Sequence, residues 1–267
     1  MSVTFSSCFY IVKSKYKIET YTMWMNNFIS IVNNFYLVIY CDENSSRYID
    51  TKGNEKIKLI IKPWEKFYNY KYKKDWIKNH DKNLLLKDLI QWELNMLWSE
   101  KIWFVNETIE KSYFETDYYG WCDIGYFRNR DTDTNTSVLS NWCTLNHITK
   151  LNKDKIYYAY INNSNHNLKY LHKIINDKNK CGLPKKEIPQ HQQSIAGGFF
   201  ILHKNKILWW RETYDKKLIT YFKYNYLVKD DQIILADCIF SNMNNFSLIK
   251  EDDNSYDNWF LFQRYLI

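Results

Sequence analysis

Three short clusters combine residue types that could do chemistry. The first is Tyr119-Gly120-Trp121-Cys122-Asp123-Ile124-Gly125, with Arg128 and Arg130 just beyond. Its apolar run ends on a carboxylate, and an acid at the carboxyl end of a parallel strand stands where α/β sheets place their ligands. Asp123 could there hold a hard divalent cation that neutralises a diphosphate, or it could cap a turn. Arg128 and Arg130 could pair with phosphate through two parallel N–H groups, or stay solvated. The second cluster is Gln190-His191-Gln192-Gln193-Ser194-Ile195-Ala196-Gly197-Gly198, polar side chains running into bare backbone. The third is Lys229-Asp230-Asp231-Gln232, directly before Ile233-Ile234-Leu235. It reads either as a helix start whose acids meet the helix dipole, or as a carboxylate facing a pocket and acting as a base.

Composition sharpens some of these readings and removes others. The 267 residues include only six glycines and three prolines, so each glycine carries information. Gly120, Gly125, Gly197 and Gly198 flank two strand ends, where glycine marks a close approach to the backbone by a ligand or by a packed neighbour; both remain open. Hydrophobic residues at 45% and charged residues at 25% are ordinary for a folded domain. The net charge of +7 suits an anionic ligand. No dense Lys/Arg block goes beyond Lys71-Tyr72-Lys73-Lys74, so no nucleic-acid partner is expected. The six cysteines form no CxxC pair and read as reduced, packed thiols. Asp131-Thr132-Asp133-Thr134-Asn135 imitates a calcium loop, but Thr136 and Trp142 stand where that loop needs Gly and Glu. No apolar run is long enough for a membrane span, and the first residues lack a basic leader, so a cytoplasmic protein is expected.

These residues need elements to position them. Val3 to Val12, Phe35 to Tyr40 and Ile57 to Ile61 read as strands, with a helical period over Lys17 to Val32. This β-α-β-β opening favours a sheet with crossover helices. Leu85, Leu89, Trp92 and Met96 predict a helix over Asn83 to Trp98, with a second over Lys101 to Lys111. Tyr118 to Asp123, Ile156 to Ile161 and Ser194 to Leu202 read as further strands, the last holding Gly197 and Gly198. Leu168 to Ile175, Asn205 to Tyr224 and Asp231 to Phe240 read as helices. No repeat or linker divides residues 1–267, so a single domain is expected.

In this order the chain resembles the HtrL/YibB (WlaTC-type) family of GT-A glycosyltransferases, most closely members encoded by giant DNA viruses. The resemblance lies in Thr4 to Tyr10, Leu37-Val38-Ile39-Tyr40-Cys41-Asp42-Glu43, Trp92 to Val105 with Lys101, Gly120 to Gly125, Ala196-Gly197-Gly198-Phe199 and Asp230-Asp231-Gln232. It implies an α/β fold with a GT-A-like, Rossmann-type mixed sheet flanked by helices. It also implies transfer of a sugar from a nucleotide-sugar donor to a hydroxyl of a glycan or protein acceptor. Asp123 falls on the first acid of the family's metal-binding Asp-x-Asp, and Gly125 on the second. One carboxylate with diphosphate oxygens and waters can still hold Mn2+ or Mg2+. On this resemblance Lys101 and Arg128 would neutralise the diphosphate, and Asp42, Thr4 and Ser6 would line the nucleotide. Gly197 and Gly198 would face sugar or acceptor, and Gln232 would hold a sugar hydroxyl. Asp231, or its neighbour Asp230, would take the acceptor proton. The alternative is a non-catalytic glycan- or nucleotide-binding module that keeps the fold, which Gly125 favours.

Overall fold

A computed structural model of the chain describes residues 3–162, 164–253 and 255–267. Its strands are β1 (Val3–Phe9), β2 (Tyr36–Cys41), β3 (Ile57–Ile61), β4 (Tyr118–Cys122), β5 (Ile156–Ala159), β6 (Phe199–His203) and β7 (Phe246–Ile249). They form one sheet in the order β3-β2-β1-β4-β6-β5-β7. β3, β2, β1 and β4 run parallel; β6 is antiparallel to β4 and β5, and β7 is parallel to β5. The result is an α/β domain built on one mixed sheet flanked by helices. Parallel strands covered on both faces read as continuous apolar runs, and Leu37 to Cys41 of β2 are all fully buried.

Helices cover both faces. On one lie the Trp92–Glu110 helix and, beside it, Ile207–Lys223 and Asp231–Ser241. On the other, the Ile18–Ser30 helix packs with a C-terminal segment that includes Phe260, Leu261 and Phe262. β1 alternates between these layers: Phe5 and Phe9 join the second, while Cys8 joins the first.

The helical register around residue 90 differs from the sequence expectation. Residues 101–110 do not start a new helix; Trp92–Glu110 is one helix of 19 residues, about 28 Å long. Residues 83–91 are turns in which Leu86 and Ile90 are buried, while Leu85 and Leu89 are exposed. The four-three-four spacing had joined exposed leucines to the true helix. A further helix, Lys73–Lys82, escapes a periodicity reading because it buries only Trp76 and Asn79. The strand expected from Ser194 begins at Phe199, and Gly197 and Gly198 form the turn before it. Five cysteines are buried and Cys181 is exposed. Among the described residues, no helix is long and apolar enough to cross a membrane.

Gly120 belongs to packing rather than to a ligand. A Cβ there would lie 2.2 Å from the backbone oxygen of Phe200 on β6 and 3.0 Å from the Phe5 ring. Backbone cannot yield as a side-chain tip can, so Gly120→Ala is expected to destabilise the domain by about 2–3 kcal/mol or more. Urea unfolding checks this, and a loss within about 0.5 kcal/mol, the range of neutral surface changes, would refute it.

Candidate functional site

The parallel strands β1 and β4 end on the same side of the sheet, and Asp123 follows β4 directly. Its backbone N–H donates to the carbonyl of Gly198 at 2.8 Å, which fastens the Gly-Gly turn to the strand end. Its Oδ1 accepts from Trp121 Nε1 at 2.6 Å and lies 3.1 Å from Lys101 Nζ. Lys101 arrives from the long helix, where Leu94, Leu97, Trp98 and Lys101 share one face. The same ammonium donates to the Gly197 carbonyl at 2.9 Å and lies 3.1 Å from Asp231 Oδ2. The ammonium thus makes one hydrogen bond, to a carbonyl, and ion-pair contacts with two carboxylates. The Lys101 side chain is only 9% exposed.

The two glycines make room for the two acids. A Cβ on residue 197 would sit 2.7 Å from Asp231 Oδ2, and one on residue 198 would sit 3.1 Å from Asp123 Oδ2. Gly125 is different: a Cβ there would meet the Trp24 ring at 2.8 Å. Gly120 and Gly125 thus serve packing, whereas Gly197 and Gly198 serve the site.

Burial pushes the Asp231 carboxyl up to about 6; Lys101 opposes the rise, and the nearby charges of Asp230 and Asp123 add to it. Burial works against the Lys101 ammonium, but Asp123 and Asp231 outweigh it, and its pKa lies above the usual lysine value. Asp230 stands at the helix start with extended backbone and makes no side-chain cap. Its Oδ2 is 3.1 Å from Lys229 Nζ, and its Oδ1 is buried without a hydrogen-bond partner. Asp231 Oδ2 likewise has no partner beyond the Lys101 contact. The acids therefore face the site instead of capping their helix.

Three asparagines hold the approach to these acids. Asn79 and Asn95 donate to the Val228 carbonyl at 2.8 and 3.0 Å, and Asn83 donates to the Lys229 carbonyl at 2.9 Å. Sequence reasoning missed them, because Asn is so common in this chain that its placement carries no visible signal.

The acids open onto one cleft with two lobes. The first, about 150 Å³, is walled by β1 and the residues after it, by Leu94, Leu97 and Trp98, and by Tyr16, Tyr21 and Trp121. The second, about 300 Å³, is polar: Gly197, Gly198, Asp230, Asp231, Gln232 and Arg130 line it, with Trp259 and Phe260. Trp98, Lys101, Asp123, Gly125 and Arg128 belong to both walls. Arg128 is held by its own Nε–H to the Gly125 carbonyl at 3.0 Å, with its guanidinium carbon 4.2 Å from the Trp24 ring centre and 4.9 Å from that of Phe260. Its two terminal nitrogens have no hydrogen-bond partner among the described residues. Arg130, by contrast, is paired with Asp133 and Asp257, so the acid of the false calcium loop serves an ion pair.

The structure thus brings together Lys101, Asp123, Gly125, Arg128, Gly197, Gly198, Asp230, Asp231 and Gln232. It does not bring Thr4, Ser6 or Asp42 to the cleft lining. Thr4 Oγ1 bonds Thr116 Oγ1 at 3.0 Å and Ser6 Oγ bonds Thr108 Oγ1 at 2.8 Å, both buried beneath the sheet's helical layer. Asp42 accepts from Ser45 N at 2.7 Å and caps the short Glu43–Ser46 helix. Lys101 lies against two carboxylates and donates to the Gly197 carbonyl, so its recorded contacts are all with protein oxygens.

The position between Asp123 and Asp231, where a divalent cation bridging both acids would sit, is taken by the Lys101 ammonium. Among the described residues no group of three His, Cys, Asp or Glu side chains could hold a metal. The Lys101 ammonium lies against the Asp123 oxygen, and a second acid at position 125 would collide with Trp24. Comparison with known proteins adds no assignment: no protein-family model matches the chain, and no curated protein does.

Removing the ammonium would leave Asp231 as an uncompensated buried charge. Lys101→Met is expected to cost about 2–4 kcal/mol, at the lower end for a buried pair because Asp123 is partly exposed. The pH dependence has a definite sign. Asp231 has a raised folded-state pKa, so it is neutral well below about 6 and charged above it. The loss measured by denaturant unfolding should therefore be smaller at pH about 5 than at pH about 8. An equal loss at both would refute the pairing.

Proposed function

We propose that this cleft transfers a sugar from a nucleotide-sugar to a hydroxyl group of a glycan or protein acceptor, on a GT-A-like fold. The observation that carries the reading is the meeting of Asp123, Lys101 and Asp231 where an aromatic lobe joins an acidic lobe, at the carboxyl ends of parallel strands. Ligands of open α/β sheets bind at that edge. The aromatic lobe offers flat apolar walls to a nucleotide base. The free edge of Arg128 offers two N–H groups to a diphosphate, the arrangement best suited to phosphate oxygens. The Gly197-Gly198 turn leaves space beside both carboxylates for a sugar, and Gln232 offers its amide to a sugar hydroxyl. The order of motifs resembling the HtrL/YibB family agrees with this division.

The chemistry follows as a single displacement. The acceptor hydroxyl oxygen forms a bond to the anomeric carbon of the sugar, and its proton passes to the Asp231 carboxylate. The bond from the anomeric carbon to the diphosphate oxygen breaks, and its electron pair leaves with the nucleoside diphosphate. A carboxylate whose pKa is raised by burial is a better proton acceptor near neutral pH than an exposed one. Lys101 holds Asp231 in place without donating to the substrate.

A second reading has one observation in its favour. Lys101 engages both carboxylates, and acids neutralised in this way can line a binding site without acting on its ligand. A panel of UDP- and GDP-sugars separates the two: binding with slow release of free sugar fits the transferase, and binding with none fits the module.

Asp231→Asn keeps the shape of the side chain but cannot accept a proton. It is expected to lower turnover by roughly 10²–10⁴-fold while leaving donor binding nearly unchanged. In the wild type the base works only when ionised, so the rate should rise with pH through about 6, and the variant should lose that limb. If Asp230→Asn produces the loss instead, the base is Asp230. If neither does, neither acid is the base.

A further inference from the structure

We infer that the site handles its diphosphate ligand without a divalent cation: the Lys101 ammonium occupies the position between the carboxylates, and Arg128 meets the phosphates. This rests on the nucleotide-sugar reading above. Three independent observations carry it. First, a metal bound by Asp123 and Asp231 would have to displace an ammonium that touches both at 3.1 Å and is fastened to the Gly197 carbonyl at 2.9 Å. Lys101 is rooted in the buried long helix and is not a surface side chain that can swing away. Second, the residue two positions after Asp123 is closed to a larger side chain by the Trp24 ring at 2.8 Å. That ring also lies under the Arg128 guanidinium, so admitting an acid at 125 would disturb the arginine. The same packing that removes a metal ligand supplies a fixed cation. Third, among the cations that line the polar lobe, Arg130 is paired with two aspartates and Lys101 lies against Asp123 and Asp231, whereas Lys15 lies over the Trp98 ring and Arg128 keeps two nitrogens unpartnered among the described residues.

Lys101 is on this account a positioning residue, and Arg128 a binding residue. Fixed charges of this kind need no reorganisation when negative charge develops on the leaving group. The arrangement also leaves Asp231 without a metal ion beside it, so its raised pKa is retained for proton transfer.

Calorimetry on the metal-stripped full chain tests the inference, with UDP and GDP as probes, in EDTA and in MnCl2. The expected result is nucleotide binding in EDTA, with a dissociation constant within about threefold of that in Mn2+. Mn2+ titrated alone should give no saturable binding. Arg128→Met should weaken nucleotide binding about tenfold or more in both media. Lys101→Met leaves the carboxylates without their cation and should acquire Mn2+ binding that the wild type lacks, which a merely structural lysine would not cause. Wild-type binding that appears only with Mn2+, or a stoichiometric Mn2+ site abolished by Asp123→Asn, overturns the inference and leaves the nucleotide-sugar reading standing. A folded Lys101→Met that gains no Mn2+ binding overturns the role given to Lys101. No nucleotide binding in any medium overturns both proposals. Should Lys101→Met fail to fold, the wild-type and Arg128→Met titrations decide.

Discussion

One buried ammonium organises this site. Lys101 brings together the end of β4, the turn before β6 and the start of the Asp231–Ser241 helix, because each contributes one oxygen to it. A charge removed from water is tolerated only when paired and hydrogen-bonded, so the positions of these three segments are tied to one another. The constraint reaches into the sequence. Residues 197 and 198 must lack a Cβ for the carboxylates to approach, and Trp121 must turn its Nε1–H toward Asp123. The site is also tied to the sheet: the Asp123 N–H to the Gly198 carbonyl continues the antiparallel ladder of β4 and β6 one step past the strand.

The aromatic content of the chain takes on meaning around this centre. Trp24 and Phe260 come from opposite ends of the sequence and lie within 5 Å of the Arg128 guanidinium. Aromatic faces attract a cation and also exclude water from it, which fixes the direction of its remaining N–H groups without consuming them. The basic net charge, read from composition, says little here. Of the four cations that line the polar lobe, Lys101 and Arg130 are matched by carboxylates, and the lobe's capacity for an anion rests on geometry.

The sequence made the architecture legible where physics repeats with a period. β2 appears as an unbroken apolar run, and Ile57 to Ile61 begins and ends where expected. It failed where exposed leucines mimic a helical face, at Leu85 and Leu89, and where a helix is almost wholly solvated, at Lys73–Lys82. At the site, scarcity was the best guide. Glycine is so rare that the Gly197-Gly198 pair stood out, and both lie against acids that were singled out with them. Asp42 entered as a nucleotide residue through the resemblance alone; from the residues it read as part of the turn that stops β2, and it caps the short Glu43–Ser46 helix there. Phe260 and the three asparagines that hold residues 228 and 229 were illegible, since only the folded chain brings them to the cleft.

The residue beside Lys101 shows how firmly the ammonium is placed. Glu100 is fully buried, and successive helical residues point about 100° apart. Its carboxylate accepts from the backbone N–H groups of Tyr68 and Asn69, at 2.6 and 3.0 Å, and from the Asn69 side chain at 2.7 Å. Burial pushes its pKa up to about 7, against the opposing effects of Lys62 and of those donors. One turn of the long helix thus drives an acid into the 68–69 backbone and a cation into the cleft. A rotation that relieved either would strand the other without partners, at a cost of several kcal/mol. Neither residue could hold the helix register so tightly alone. The pair makes the position of the Lys101 ammonium a property of the fold, and the acids of the cleft take their places from it.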